Sequence, residues 1–184
     1  MKALFTILIS IISFTSYTQN FTLDIKKSDL KWIGYGEVGN FKQEGTIKAK
    51  SGAMNLDQGI IQSADISIDM KSIQHDDKSL SKHLSNKDFF WSKKYPIATL
   101  KMISLENDNL TAELTIRGKT QSIQFPFELI EEEDIILVRG KLTIDRTEYD
   151  IKYNSSSYFQ DLGSYAIKNE FDLLFDLHFV PFSN

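Results

Sequence analysis

The chain contains no cysteine. That excludes disulfides, thiol-ligated metals, a cysteine nucleophile and a lipid-modified N-terminal cysteine. Its three histidines, His75, His83 and His178, leave little material for a metal centre, and no HxxH or HExxH spacing joins them. Asp76, Asp77 and Asp88 crowd the same region, but carboxylates there suit helix capping better than ligation, and no metal is expected. No GxSxG elbow marks a serine hydrolase. Gly118-Lys119-Thr120 resembles the end of a phosphate-binding loop, yet Glu113 stands where that motif needs glycine. A hairpin turn is the better account. The paired carboxylates Glu131 to Glu133 lie in a polar turn and read as solvated. Nothing in the sequence requires catalysis. Positive charge is also in deficit, with 21 Lys and Arg against 25 Asp and Glu and a formal charge of -4. That argues against a nucleic-acid partner.

What is present begins with a leader. Lys2 gives a positive end, Ala3 to Ile12 is an apolar run, and Ser16-Tyr17-Thr18 places small residues on either side of Tyr17. This is the pattern of a secretory signal peptide over residues 1–18, cleaved after Thr18. The run falls short of the roughly 20 residues a spanning helix needs, so an uncleaved anchor is the minor alternative. Residues 19–184 suit a single domain, at 41% hydrophobic content for the whole chain. The protein is expected to be periplasmic in a double-membrane bacterium, or secreted.

From about Asp29 onward, apolar and polar residues alternate with period two. Leu30 and Trp32 form one such row, and Phe41, Ile47 and Ala49 another. Ala64, Ile66, Ile68 and Met70 follow, then Ile123, Phe125, Phe127 and Leu129. The last row is the clearest, with Phe171, Leu173, Phe175, Leu177 and Phe179 on one face and Asp172, Asp176 and His178 on the other. Polar or glycine-bearing turns separate the rows, at Ser51-Gly52, Asp57 to Gly59, Asn107 to Asn109, Arg117 to Lys119 and Glu131 to Asp134. Turns this short force antiparallel pairing. About eight strands and one short helix, near 77–85, make an all-β chain. One helix cannot cover so long a sheet, so the sheet must cover itself as a sandwich or a closed barrel. Asn154 to Ser164 breaks the alternation and reads as a longer loop.

The stretch from His83 to Met102 organises the rest. Leu80 and Leu84 face the same way on the helix. The chain then passes through Phe89-Phe90-Trp91, turns at Tyr95-Pro96 and leaves as a strand bearing Ala98, Leu100 and Met102. Three consecutive aromatics set against a sheet form either part of a closed core or a plug over something hollow. His83-Leu84, Asp88-Phe89-Phe90 and Tyr95-Pro96 resemble the signature of the YceI-like family of lipid-binding barrels. Ile68 to Ile73, Leu114 to Thr120 and Gly140 to Thr147 agree with it, in the family's order. Two positions depart: Trp91 stands where the family usually has an acid, and Asp150 where it often has glycine.

The resemblance implies an antiparallel lipocalin-like barrel with the helix as plug or lid, enclosing an elongated lipid such as a polyisoprenoid; a fatty-acid-type ligand remains open. The expected lining is Trp32, Ile66, Ile68, Phe89, Phe90, Leu100, Phe125, Phe127, Leu142, Phe171, Leu173 and Phe175. Arg146, at the end of a strand, either pairs with protein groups or meets a ligand headgroup. No cofactor is required, and the partner is a hydrophobic small molecule without stable membrane insertion. The sequence leaves a homodimer open. Two rival readings are a small outer-membrane β-barrel and a lipid-modifying enzyme.

Overall fold

The computed structural model describes residues 18–106 and 109–182. The leader lies outside them except for Thr18, as do Asn107 and Asp108 of one expected turn. Nine strands run β1 (Thr18–Leu23), β2 (Asp29–Gly36), β3 (Lys42–Asp57), β4 (Ile60–Gln74), β5 (Ile97–Glu106), β6 (Asn109–Ile116), β7 (Lys119–Glu132), β8 (Ile135–Asp145) and β9 (Ile167–Pro181). One helix, α1 (Lys78–Leu84), joins β4 to β5. Every pairing is antiparallel, and β2 through β9 close on themselves in sequence order, β9 returning to β2. The result is the expected eight-position barrel. β1 adds no ninth position: it pairs with β3 and with the end of β9, continuing the wall beyond the start of β2.

Period-two alternation gives the wall two different faces. Directly opposed residues of antiparallel neighbours share a face. Leu142 opposes Leu173, which opposes Trp32; Ile66 opposes Leu100, which opposes Leu114. These side chains form a single apolar cluster, whereas Lys31, Lys48, Lys101 and Glu113 of the other parity are exposed. A polar outer face is the reverse of the outward apolar band of an outer-membrane barrel. Register shifts in the β3–β4 pairing, at Thr46/Lys48, Ala49/Ser51 and Asn55/Leu56, supply the bending a closed wall requires.

Local chemistry fixes the helix. Asp77 is its N-cap and accepts from the backbone N–H of Ser79 at 2.7 Å, and Ser85 closes the other end. Leu84 is buried, with Leu80 packed half-buried against the same core. The Arg117-Gly118 turn has positive φ at both residues (51° and 73°), the geometry of a two-residue hairpin. One row needs correction. Phe41 precedes β3 and is 60% exposed, because the strand starts at Lys42, beyond the rim of the barrel.

Candidate functional site

The barrel is packed unevenly along its axis. At the end bearing the β3–β4 and β7–β8 turns, Phe21, Met54, Leu56, Ile136 and Phe179 are all buried and close the interior. Towards the α1 end the filling loosens. Ile66, Ile68, Leu100, Phe127, Phe171, Leu173 and Phe175 face the axis, yet each is only partly buried. Inward side chains that keep accessible surface are packed less completely than the buried rows around them, and Ile66, Leu100 and Phe127 line clefts in the wall. Trp32, Phe125 and Leu142 of the expected lining are buried among them, and the Trp32 indole N–H donates to the Gln74 carbonyl at 3.2 Å.

The remaining two lining residues, Phe89 and Phe90, form the plug. After Ser85 the chain folds into tight turns, with Phe90 N–H donating to the Leu84 carbonyl and Phe89 N–H to Asn86. Consecutive residues in an extended strand would diverge, but this turn lets both rings bury, at 7% and 8% exposure. Phe90 meets the Phe171 ring edge-on, with centroids 6.1 Å apart, at the top of the β9 row. Phe89 lies outside it, 5.4 Å from His83 and 5.6 Å from Tyr153.

Arg146 holds this end together. Its side chain is 3% exposed, and its three nitrogens donate to the carbonyls of Ile151, Ile167 and Lys168 at 2.7, 3.0 and 3.1 Å. The guanidinium carbon also lies 5.8 Å from the Phe89 ring centroid. Burial pushes its pKa below the ordinary arginine value, partly countered by Asp145, Glu37 and Glu170. Its neighbour Asp145 does not pair with it; the carboxylate caps the following 3-10 turn, Arg146–Tyr149, through Thr147.

Sequence reasoning missed Tyr149. It is 1% exposed and belongs to the apolar cluster, yet its hydroxyl has no hydrogen-bond partner among the described residues. Burial, with a smaller contribution from Glu148, pushes its pKa up to about 12. The Nε2 of His83 is likewise buried without a partner among the described residues. A lone tyrosine in an RTEY turn carries no period, so no pattern could have flagged it.

The wall is incompletely paired at two seams. β4 and β5 pair only from Asp65–Lys101 to Asp69–Ile97, and a second break lies between β7 and β8. β7 and β8 pair only from Phe127–Gly140 to Glu132–Ile135, and the rest of β7 pairs with β6 alone. The gap is bridged by the 3-10 turn, where Gln121 donates to the Glu148 carbonyl at 3.3 Å. A cleft of about 530 Å³ lies here, lined by Phe125 and Phe127 with Gln124, Glu128, Arg139 and Lys141 around them. Next to it the wall is braced from outside. Asp172 accepts from Thr143 at 2.7 Å and Tyr35 at 2.8 Å, joining β8, β9 and β2. Burial acts to raise the Asp172 carboxyl, but Thr143, Tyr35 and Lys141 outweigh it and hold it below the usual carboxylate range.

Among the described residues no three His, Asp or Glu side chains gather as a metal site. His75 is occupied otherwise, its Nδ1 accepting from the backbone N–H of Asp77 at 2.8 Å.

A family model described as the YceI-like domain matches residues 21–179. The chain belongs to the YceI-like family. No curated protein matches it. Among solved structures, this YceI-like chain is similar to BcnA of Burkholderia cenocepacia, at 23% identity and a TM-score of 0.67, covering 85% of this chain and 98% of that one. A polyisoprenoid binding domain from Saccharophagus degradans shares 15% identity with a TM-score of 0.66, over 88% and 98% of the two chains. The YCEI protein of Campylobacter jejuni follows at 17% identity and 0.57, over 100% and 94%. The likeness is one of fold. Both departures from the family's usual residues fall on left-handed backbone: Trp91 has φ of 46° and Asp150 has φ of 64°. Glycine, and more easily than most residues aspartate, adopt that conformation, so the bend after Arg146 survives with Asp150 in place.

Proposed function

We propose that this YceI-like barrel is an exported binding protein that encloses an elongated hydrophobic lipid of polyisoprenoid type, in the periplasm of a double-membrane bacterium. One observation carries the reading. Seven inward side chains, all aliphatic or aromatic, keep accessible surface between a packed end and an aromatic plug. A loosely packed apolar interior of this kind is the setting in which a lipid tail gains about 0.8 kcal/mol per methylene buried. The similar fold of a polyisoprenoid binding domain supports the ligand class, and the leader-like residues 1–18 support export. The lining favours binding over catalysis, since it offers a tail nothing but apolar contact. Arg146 then acts as the brace of the mouth, with its nitrogens on backbone carbonyls, rather than as a headgroup ligand.

The test is native mass spectrometry of protein purified from its own host, with extraction of any bound lipid. A prenyl-chain adduct released on denaturation is expected. Protein that carries no lipid and takes up no polyprenol or prenylquinone from detergent solution would overturn the reading.

A further inference from the structure

The two ends of the barrel differ in charge as well as packing. The β3–β4, β5–β6 and β7–β8 turns at the packed end carry Asp57, Glu106 and Glu131 to Asp134, with no lysine or arginine among their described residues, while the β1–β2 connection beside His178 adds Asp24, Lys26 and Lys27. The β3–β4 and β7–β8 turns adjoin, since a Cβ at Gly59 would stand 3.1 Å from Glu131 Oε1. At the α1 end, segments 75–96 and 117–119 hold seven basic against three acidic residues, and the loops 37–42 and 146–168 four against four, the buried Arg146 among them. A chain of net negative charge thus presents a positive end at its plug.

That end also exposes aromatic side chains. Val38 and Phe41 in the β2–β3 turn are 59% and 60% exposed; Tyr158, Phe159 and Tyr165 in the loop before β9 are 50%, 50% and 76% exposed. The two loops are tied into one surface. Ser156 Oγ donates to Glu37 Oε1 at 2.6 Å, and Glu37 N–H donates to the Ala166 carbonyl at 3.0 Å. Lys152 stands 4.6 Å over the Tyr158 ring. Tyr153, 36% exposed, connects this surface to the plug by packing on Phe89 and His83.

We infer that the α1 end is a docking face for an anionic phospholipid bilayer, with Phe41, Phe159 and Tyr165 entering the interfacial layer and the surrounding lysines meeting the headgroups. Aromatic rings with a polar edge favour the membrane–water boundary, and basic residues concentrate at anionic leaflets. The acidic turns at the opposite end fix the orientation, because the same field repels them. Docked in this way, the plug faces the membrane from which a lipid would enter. The purpose of the face rests on the lipid-enclosing reading; its existence does not.

The experiment is flotation of the exported protein, without the leader, with phosphatidylglycerol–phosphatidylcholine vesicles and with phosphatidylcholine alone. Association with the anionic vesicles only, weakening as salt is raised, is expected. The double variant Phe159→Ser, Tyr165→Ser should bind them at least tenfold more weakly. The control pair Ile60→Ser, Ile103→Ser, exposed apolar residues outside this face, should bind as the unaltered chain does. No association, equal binding to neutral vesicles, or a double variant that still binds would each overturn the inference. So would a dimer in sedimentation that the double variant dissociates without any vesicle binding, which would make the face a contact between copies. Uptake of polyprenol from detergent solution, measured on the same proteins, separates the two readings. Uptake lost with docking intact sinks the enclosed-lipid function alone, and docking lost with uptake intact is the pattern expected of the double variant.

Discussion

Gly140 and Phe175 oppose each other across β8 and β9, and the Phe175 ring lies where a side chain at 140 would begin. A Cβ on residue 140 would stand 2.5 Å from the Cζ of Phe175. Gly45 stands under Trp32 in the same way, with the corresponding gap to Cζ2 only 2.6 Å. Glycine in the wall therefore lets a large ring lie against it, in the space a side chain would fill. Gly140→Ala should push the Phe175 ring towards the axis. Overpacking of this kind typically destabilises by about 1–3 kcal/mol. Urea denaturation should show that loss, and polyprenol uptake by the folded fraction should fall with it.

Arg146 supports a different expectation. Removing its side chain leaves the carbonyls of Ile151, Ile167 and Lys168 without these donors. Arg146→Ala should destabilise by about 3 kcal/mol or more, as breaking a buried charged network does. Arg146→Lys should recover only part, because a lysine ammonium cannot reproduce the planar fork. Lipid content per folded molecule should remain near that of the unaltered chain. Thermal melts beside lipid quantification decide the matter; normal melting with lost lipid would assign Arg146 to a headgroup.

Tyr149 should leave its mark at alkaline pH. Its folded pKa, about 12, lies above the ordinary tyrosine value of 10.0. The unfolded chain therefore ionises first as pH rises, and the native state loses stability from about pH 10 until its own hydroxyl titrates near 12. The slope is about 1.4 kcal/mol per pH unit over that window. Tyr149→Phe should remove this component of the alkaline loss. At neutral pH it should be neutral or stabilising by about 1 kcal/mol, since the hydroxyl it deletes has no partner among the described residues. Denaturant melts at pH 7 and pH 11 on both proteins give the comparison.

The wall of the barrel was legible because alternation assigns a face to every residue of a strand. Ile66, Phe125 and Phe171 needed no knowledge of their partners to be placed inside. The helix was legible from Asp77 and the leucine pair. Strand ends were not: parity puts Phe41 on the inner row but cannot say that the wall has already stopped there. β1 escaped because TQNFTL offers only Phe21 and Leu23 as a pattern. The gap between β7 and β8 was hidden for another reason. Whether two strands stay paired depends on where each veers, and neither sequence alone records that. Charge separation along the axis likewise emerges only once topology sorts the turns into two ends.

The plug sets the last test, because its neighbouring aromatics have opposite positions. Phe90 is buried against Phe171, whereas Trp91 is half-buried at the surface, stacked edge-on with Tyr95 at 5.8 Å and under the Lys94 ammonium at 4.4 Å. Trp91 also holds a φ of 46°, a conformation bulky L-residues adopt at a penalty of roughly 1–2 kcal/mol. Aspartate enters that region more readily, so Trp91→Asp exchanges surface stacking for relief of backbone strain. The two effects are of similar size and opposite sign, and stability should change by no more than about 0.5 kcal/mol. Phe90→Ala should behave otherwise. As plain core it would destabilise by about 3–5 kcal/mol. Facing a loosely packed interior, it should cost less than that and speed the exchange of bound lipid, because the gate has lost its inner ring. Thermal melts and a lipid-exchange assay on the two variants settle which description holds. A severe loss of stability from Trp91→Asp, with Phe90→Ala harmless to both stability and exchange, would mean that the plug seals the barrel with the other ring.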